Sequence, residues 1–279
     1  MTERLDVRKT YKLFIGGAFV RSESGRSYEV VDARGEFIAN AVRASRKDLR
    51  DAVVAARKAW PAWAHASAYN RGQVLYRVAE MMEARREDLA YEVERAEGAS
   101  AHQQVDDAID TWVWYAGLAD KLAQILGGLN PVAGPYFNLT VPEPTGVVGI
   151  VGPERPSLAG LVSRLAPALA GGNACVVINS EAHPLPAVAL AECLATSDLP
   201  AGVVNLLTGR KDELVPVLAA HLDVDALDVT GVPTALAEAA EAEAAENVKR
   251  IVRARSEQPS PYEALAFMEL KTVWHPKGA

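Results

Sequence analysis

Five short apolar runs, each followed by a segment of helical length, constrain the fold of residues 146–252 most strongly. The runs are Gly146–Val151, Ala174–Ile178, Val203–Leu207, Ala226–Thr230 and Val248–Val252. Short apolar runs are typical of strands buried on both faces, and intervening helices connect such strands in parallel. The pattern therefore predicts an α/β fold with a Rossmann-like, doubly wound parallel sheet of about five strands.

The segment before residue 146 is predicted to supply further strands and helices. Leu13–Val20 places apolar residues on both sides of a Gly-Gly pair, as a hairpin does, and residues 28–44 favour strands. Amphipathic helices are predicted at residues 48–60, 71–85 and 102–126. Pro61 is expected to end the first helix, because proline removes a helix hydrogen bond.

The charge and composition of the chain disfavour several functional classes. The 279 residues include 29 basic and 36 acidic side chains, and a net charge of −7 argues against nucleic-acid and membrane partners. The five histidines are not spaced as metal ligands, and Cys175 and Cys193 lie in apolar contexts typical of buried side chains. Because the sequence shows no apolar leader and no stretch of about 20 apolar residues, we expect a cytoplasmic location.

A short strand is predicted near residue 270, separated from the parallel sheet. Residues 254–261 are polar and broken by prolines, as linkers are, and the strand that follows alternates Met268, Leu270, Thr272 and Trp274 with other side chains. A single strand is unstable in water and must pair. It can pair with the predicted strand at residues 136–143 of its own chain or with another chain, and the sequence leaves both open.

Several segments resemble the aldehyde dehydrogenase superfamily. Glu143–Pro153 resembles that family's E-P-x-G-V-V-G-I-x-x-P motif, Leu165–Asn173 its I-A-P-A-L-A-A-G-N motif, and Leu199–Gly209 its L-P-x-G-V-V-N-x-x-x-G motif. Tyr262–Pro276 resembles the extreme C-terminus of the family. Because the motifs occur in order and in register, the chain is identified as a truncated, degenerate member.

The resemblance implies a division of the chain into three parts. Residues 1–253 correspond to the cofactor-binding domain, with an oligomerisation arm at about residues 132–145. Residues 254–261 form a linker in place of the domain that carries the catalytic cysteine. Residues 262–279 correspond to a C-terminal oligomerisation strand.

The resemblance also locates the cofactor site, and most of its positions are altered. Pro153, Glu181 and Gly231 match the family and are the candidate residual cofactor-binding residues. The oxyanion asparagine, ribose-binding lysine, second turn glycine and general-base glutamate are replaced by Arg155, Ile178, Leu236 and Ala254. Glu257 is not expected to substitute for the missing base. No resident cofactor is expected, and any binding of NAD or NADP is expected to be weak.

These expectations favour a catalytically inactive subunit, a pseudoenzyme without catalytic residues. It would assemble with a full-length aldehyde dehydrogenase paralogue, with copies of itself, or with both. The expected interface residues are Phe137, Leu139, Val141, Met268, Leu270, Thr272 and Trp274. Two alternatives remain: a residual NAD(P)-binding or sensing module, and a contributor to an active mixed aldehyde dehydrogenase complex.

Overall fold

The structure, a computed structural model, describes residues 9–98, 100–256 and 258–278. Residues 1–8 of the predicted first domain, and Glu257, lie outside the described residues. The strands are Thr10–Tyr11 (β1), Leu13–Ile15 (β2), Ala18–Val20 (β3), Ser27–Val31 (β4), Phe37–Val42 (β5), Gly128–Asn130 (β6), Tyr136–Pro144 (β7), Val147–Val151 (β8), Ala174–Ile178 (β9), Val204–Leu207 (β10), Ala226–Asp228 (β11), Arg250–Val252 (β12) and Met268–Pro276 (β13).

Helices occur between the parallel strands, as the sequence pattern predicts. The helices are Arg46–His65 (α1), Ala68–Ala84 (α2), Arg86–Glu97 (α3), Ala101–Leu118 (α4), Leu122–Leu126 (α5), Ala159–Ala170 (α6), Leu185–Leu194 (α7), Lys211–Ala220 (α8), Thr234–Ala245 (α9) and Pro261–Leu265 (α10). Two of these helices, α3 and α10, were not predicted. A 3-10 turn at Ala119–Lys121 separates α4 from α5.

A seven-stranded sheet forms the centre, in the order β12-β11-β8-β9-β10-β2-β3. Strands β8 to β12 are parallel, which confirms the predicted α/β fold with a doubly wound, Rossmann-like sheet. The predicted hairpin is present as β2 and β3, and it pairs antiparallel with β10 through Phe14 and Leu206. The hairpin thereby covers an edge that the parallel strands would leave open.

Helices cover both faces of the central sheet. In β9, Cys175 and Val177 face a core that includes side chains of α2, α4, α6 and α7. Val176 and Ile178 face the opposite core, which includes side chains of α1, α8 and α9. The alternation explains why the strand reads as an uninterrupted apolar run, since both of its faces are buried.

Pro61 does not end the first helix, contrary to the prediction. Helix α1 begins at a capping box in which Ser45 and Asp48 exchange hydrogen bonds, and it continues past Pro61 to His65. The additional turn buries Trp63, whose Nε1 donates to the Leu169 carbonyl at 3.2 Å. Burial of this large side chain offsets the hydrogen bond that proline removes.

Residues 261–276 return to the body of the chain. Helix α10 packs against α6 and α5, so the predicted linker is shorter than residues 254–261. Strand β13 then pairs antiparallel with β7 of the same chain, from Met268 opposite Pro144 to Pro276 opposite Tyr136. We call the three-stranded sheet β13-β7-β6 the arm sheet. Among the described residues, no helix has the length and apolar character needed to cross a membrane.

Candidate functional site

The strand order reverses beside β8, which has β9 on one side and β11 on the other. In doubly wound sheets, ligands bind in the crevice that such a reversal leaves at the carboxyl ends of the strands. Gly152 and Gly231 lie on the two sides of this crevice. The Gly231 N–H donates to the Val151 carbonyl at 3.1 Å, and a Cβ at Gly231 would overlap the Gly152 carbonyl. The two backbones therefore lie in direct contact.

The side chain of Lys211 spans the same crevice. Lys211 begins α8 and is 2% exposed. Its Nζ donates to the Gly152 carbonyl at 2.7 Å and to the Gly231 carbonyl at 3.0 Å, and it forms an ion pair with Glu154. A protein ammonium group thus lies where such a sheet offers a binding site. The only sequence signal for it is a lysine directly after a Thr-Gly-Arg turn that follows an apolar strand.

Glu154 fills the opposite side of the crevice. Its carboxylate accepts hydrogen bonds from Ser180 Oγ at 2.7 Å, from the Ala182 N–H at 3.0 Å and from the Glu181 N–H at 3.2 Å. Burial acts to raise the pKa of Glu154, but the bonds from Lys211, Ala182 and Ser180 outweigh it and lower the pKa below its ordinary value. Glu154 is therefore a carboxylate at neutral pH, and it uses the N–H groups that follow β9.

Two of the three candidate cofactor-binding residues, Glu181 and Gly231, contact Lys211. Glu181 accepts the Lys211 N–H at 2.9 Å and pairs with Arg210 at 2.7 Å. Pro153 packs against Gly160, where an added Cβ would lie 2.6 Å from the proline ring. Each of Pro153, Glu181 and Gly231 thus contacts groups of its own chain, and their role in cofactor binding stays a prediction.

Arg155, at the expected oxyanion position, lies at the surface beside His183. Its Nε donates to His183 Nε2 at 3.1 Å, and its Nη1 donates to the Glu97 carbonyl at 3.4 Å. An acceptor role for Nε2 places the imidazole proton on Nδ1. Burial, and then the charge of Arg155, lower the pKa of His183 below its ordinary value. His183 is therefore neutral, and it orients the guanidinium group.

The other altered positions contribute no reactive side chain to the crevice. Ile178 is fully buried in β9, and Leu236 is half-buried against the same core. Ala254 offers only its N–H, which donates to Thr230 Oγ1 at 2.9 Å. Both cysteines are fully buried, as predicted. Burial raises the pKa of Cys193 to about 11 and that of Cys175 further, so both thiols are protonated at neutral pH.

A buried ion triad joins the crevice to the C-terminal segment. Arg164 of α6 donates from Nε to Asp228 of β11 at 2.6 Å and from Nη1 to Glu263 of α10. The three residues are 1%, 0% and 2% exposed. The motif comparison did not anticipate the triad, because a lone arginine in an apolar helix gives no indication of its partners. Glu263, Ala264, Phe267 and Met268 are buried with the body of the chain, which differs from the predicted separate C-terminal unit.

The arm sheet is exposed on both faces. Residues paired across antiparallel strands share a face. Phe137, Leu139 and Val141 therefore lie on one face, opposite His275, Val273 and Lys271. Leu270, Thr272 and Trp274 lie on the other face, so the expected interface residues divide between two surfaces. Leu139 is 44% exposed and Trp274 is 59% exposed.

Met268 differs from the other expected interface residues. It is 4% exposed and belongs to the core of its own chain, where its side chain packs over Gly171. Expecting a partner at Met268 was wrong, because the strand enters the body of the chain at this residue. The remaining six stay predictions.

Comparison with known proteins identifies the family. A profile of the aldehyde dehydrogenase family matches residues 19–254, and the chain belongs to this family. It is 34% identical to the putative aldehyde dehydrogenase DhaS of Bacillus subtilis, over 90% of this chain and 52% of that protein. It is also 34% identical to the mitochondrial benzaldehyde dehydrogenase of Antirrhinum majus, over 79% of this chain and 42% of that protein.

Solved structures agree with the sequence comparison. HpcC of Thermus thermophilus superposes with a TM-score of 0.83 at 33% identity and covers 88% of this chain, while this chain covers 48% of HpcC. Betaine aldehyde dehydrogenase of Staphylococcus aureus in complex with NAD+ superposes with a TM-score of 0.81 at 28% identity, over 86% of this chain and 48% of that chain. The chain thus spans about half the length of these relatives.

Proposed function

We propose that this chain is a non-catalytic subunit that assembles with a full-length aldehyde dehydrogenase through its arm sheet. The observation that carries the proposal is the exposure of apolar side chains on both faces of that sheet. Among them, Phe137 is 45%, Leu270 50% and Trp274 59% exposed. A thin sheet with two apolar faces gains stability when a partner covers it, and exposed apolar surface of this kind marks interaction sites.

The contacts in the crevice support the non-catalytic part of the proposal. An aldehyde dehydrogenase reaction needs an activated nucleophile and donors aimed at the developing oxyanion. Both cysteines are buried and protonated, Ala254 replaces the general base, and Arg155 is bonded to His183. The amine of Lys211 and the carboxylate of Glu154 neutralise each other where the cofactor would lie. Catalysis in a mixed assembly would come from the partner.

Native mass spectrometry tests the proposal. The tagged chain is purified from its own cells without denaturation, and the masses of the intact complexes are measured. We expect a mixed oligomer that contains a full-length aldehyde dehydrogenase. Complexes without any dehydrogenase subunit, at the cellular concentration of the chain, would contradict the proposal.

A second candidate function is a residual nucleotide-binding module. Its support is the convergence of Pro153, Glu181 and Gly231 at the strand-order reversal, where dinucleotides bind in this class of sheet. Titration calorimetry with NAD and NADP at millimolar concentration tests it. Heat of binding in either titration supports the module, and its absence in both eliminates it.

A further inference from the structure

The ammonium group of Lys211 is held in place by backbone carbonyls as well as by Glu154. The residue is 2% exposed, and its Nζ donates to the Gly152 carbonyl at 2.7 Å and to the Gly231 carbonyl at 3.0 Å. These two bonds fix the amine independently of its ion pair with Glu154. A buried charge needs an opposite charge beside it, because its removal from water is costly. The position of the amine therefore requires an anion.

The loop after β9 directs further donors at the same point. Ser180 Oγ lies 2.7 Å from the Glu154 carboxylate, and it accepts the His183 N–H at 2.9 Å. The N–H groups of Ala182 and Glu181 donate to that carboxylate at 3.0 Å and 3.2 Å. Successive N–H groups that converge in this way form an anion-binding concavity. We call the set of four donors the anion nest: Ser180 Oγ, the Glu181 and Ala182 N–H groups, and Lys211 Nζ.

The charges around the anion nest determine the sign of its ligand. The Glu181 carboxylate pairs with Arg210 at 2.7 Å and accepts the Lys211 backbone N–H at 2.9 Å, so its charge is compensated outside the nest. When Glu154 turns away, the nest retains one buried positive charge and three neutral donors. Such a set binds an oxyanion and repels a cation.

Glu154 lies at the opening of the nest, where solvent can reach it. Its side chain is 43% exposed, whereas that of Lys211 is 2% exposed. A ligand from solvent can therefore replace the carboxylate when one side chain rotates, without opening the core. The amine at the base of the nest stays in place during this exchange.

We propose that the anion nest binds a phosphoryl group, and that Glu154 competes with this ligand for the four donors. A phosphoryl group offers three oxygens and up to two negative charges, so it accepts from more donors than a carboxylate does. The inference goes beyond the proposed subunit role, since the arm sheet contributes none of the four donors. It also differs from the second candidate function. NAD is expected to need the crevice cleared of the Lys211 amine, whereas a phosphoryl group needs that amine.

Titration calorimetry of the full chain with inorganic phosphate tests the site. Glu154→Ala is expected to bind phosphate at least about tenfold more tightly than the wild type, because a tethered carboxylate competes at a millimolar or higher effective concentration. Glu154→Gln removes the charge at nearly constant size and should also bind more tightly, which keeps the test decisive if the alanine variant does not fold. The matched control Glu241→Ala removes an exposed carboxylate that pairs with Arg253, and it should bind phosphate as the wild type does.

A double variant shows whether the buried amine holds the ligand. Lys211→Met in the Glu154→Ala background should weaken phosphate binding at least about tenfold, while circular dichroism shows that the fold is kept. Glycerol 3-phosphate in place of phosphate identifies the source of the group: tighter binding assigns a phosphate monoester, and equal or weaker binding assigns free phosphate. Equal phosphate affinities in the wild type and both Glu154 variants, binding retained in the double variant, or no binding in any of the proteins would overturn the proposal.

Discussion

The guanidinium group of Arg164 in α6 binds the carboxylate of Glu263, which lies 99 residues further along the chain in α10. Arg164 also binds Asp228. The Cζ atom of Arg164 lies 5.3 Å from the centroid of the Phe267 ring. The arginine thus connects the central sheet to the segment that leads into the arm sheet. The position of β13 depends on this contact.

Arg164→Met is expected to destabilise the chain by about 3–5 kcal/mol, because it leaves two buried carboxylates without a cation. Glu263→Gln is expected to cost less, since Arg164 keeps Asp228 as its partner. Chemical denaturation followed by circular dichroism measures both variants. Arg253→Met, which removes the exposed pair with Glu241, serves as the control and should change stability little. A loss for Arg164→Met no larger than that control would contradict the structural role of the triad.

Lys211→Ala is expected to open the crevice. The substitution removes the ammonium group from Gly152 and Gly231, and it should lower stability by about 1–3 kcal/mol. Millimolar NAD should then raise the unfolding temperature of the variant without affecting the wild-type chain. Lys211→Met refills the space with an apolar side chain and should show no such effect. Equal shifts in all three proteins would show that Lys211 does not close the site.

His183→Gln is expected to reduce the sensitivity of stability to acid. The folded pKa of His183 lies below the ordinary value of 6.5, so the unfolded chain binds the proton first as the pH falls. Stability is therefore lost as the pH is lowered from about 6.5 through the folded pKa. The wild type should therefore lose more unfolding free energy than the variant between pH 7.5 and 5, and a constant difference between the two proteins would show that this loss is absent.

His221→Gln provides the comparison for that experiment, because burial lowers the pKa of His221 as well. Each variant should remove only the part of the acid-induced loss of unfolding free energy that its own histidine contributes. An unchanged pH profile in His183→Gln would show that burial and the charge of Arg155 do not lower the pKa of His183 in the folded chain.

Leu139→Glu is expected to abolish capture of a full-length aldehyde dehydrogenase while the chain stays folded. The side chain is 44% exposed on one face of the arm sheet, and a carboxylate there cannot be buried without a partner cation. Val54→Glu, at a 57% exposed position on α1, is the matched control and should capture normally. Native mass spectrometry of both variants gives the comparison. Capture by Leu139→Glu at the wild-type level would exclude that face as the contact.

Arg155→Ala is expected to leave the turnover of a mixed complex unchanged. In the proposed function the partner supplies the whole active site, and Arg155 is bonded to His183 of its own chain. Steady-state rates of the purified complex measure the effect. A drop of about tenfold or more, equivalent to about 1.4 kcal/mol of transition-state stabilisation, would show that this chain takes part in catalysis.

Much of the fold follows from local patterns in the sequence. The apolar runs that became β8 to β12 predict a parallel sheet because their spacing leaves room for one helix between strands. The end of α1 was not predictable in this way, because burial of Trp63 outweighs the local effect of Pro61. The pairing of the β2-β3 hairpin with β10 was not predictable either, since it depends on contacts between distant segments.

The position of the candidate site in the sheet was predictable from the sequence, but the side chains that fill its crevice were not. Motif order located Pro153, Glu181 and Gly231, and the structure places each of them after the carboxyl end of a strand at the reversal, namely β8, β9 and β11. Lys211 is a single charged residue at the start of a helix, and a lysine at such a position is ordinarily expected to be exposed to solvent. Its burial becomes visible only when the carbonyls of Gly152 and Gly231 are placed beside its amine.

The contacts of Phe267 also bear on the order in which the chain folds. The Phe267 carbonyl accepts hydrogen bonds from Asn173 Nδ2 at 3.0 Å and from Thr145 Oγ1 at 2.8 Å, and Asn173 Oδ1 accepts the Gly146 N–H at the start of β8. During synthesis, a nascent chain that already carries all the parallel strands still lacks the Phe267 carbonyl. Contacts between such distant residues form slowly. The ribosome therefore has to release residue 267 before the core around Arg164 can close.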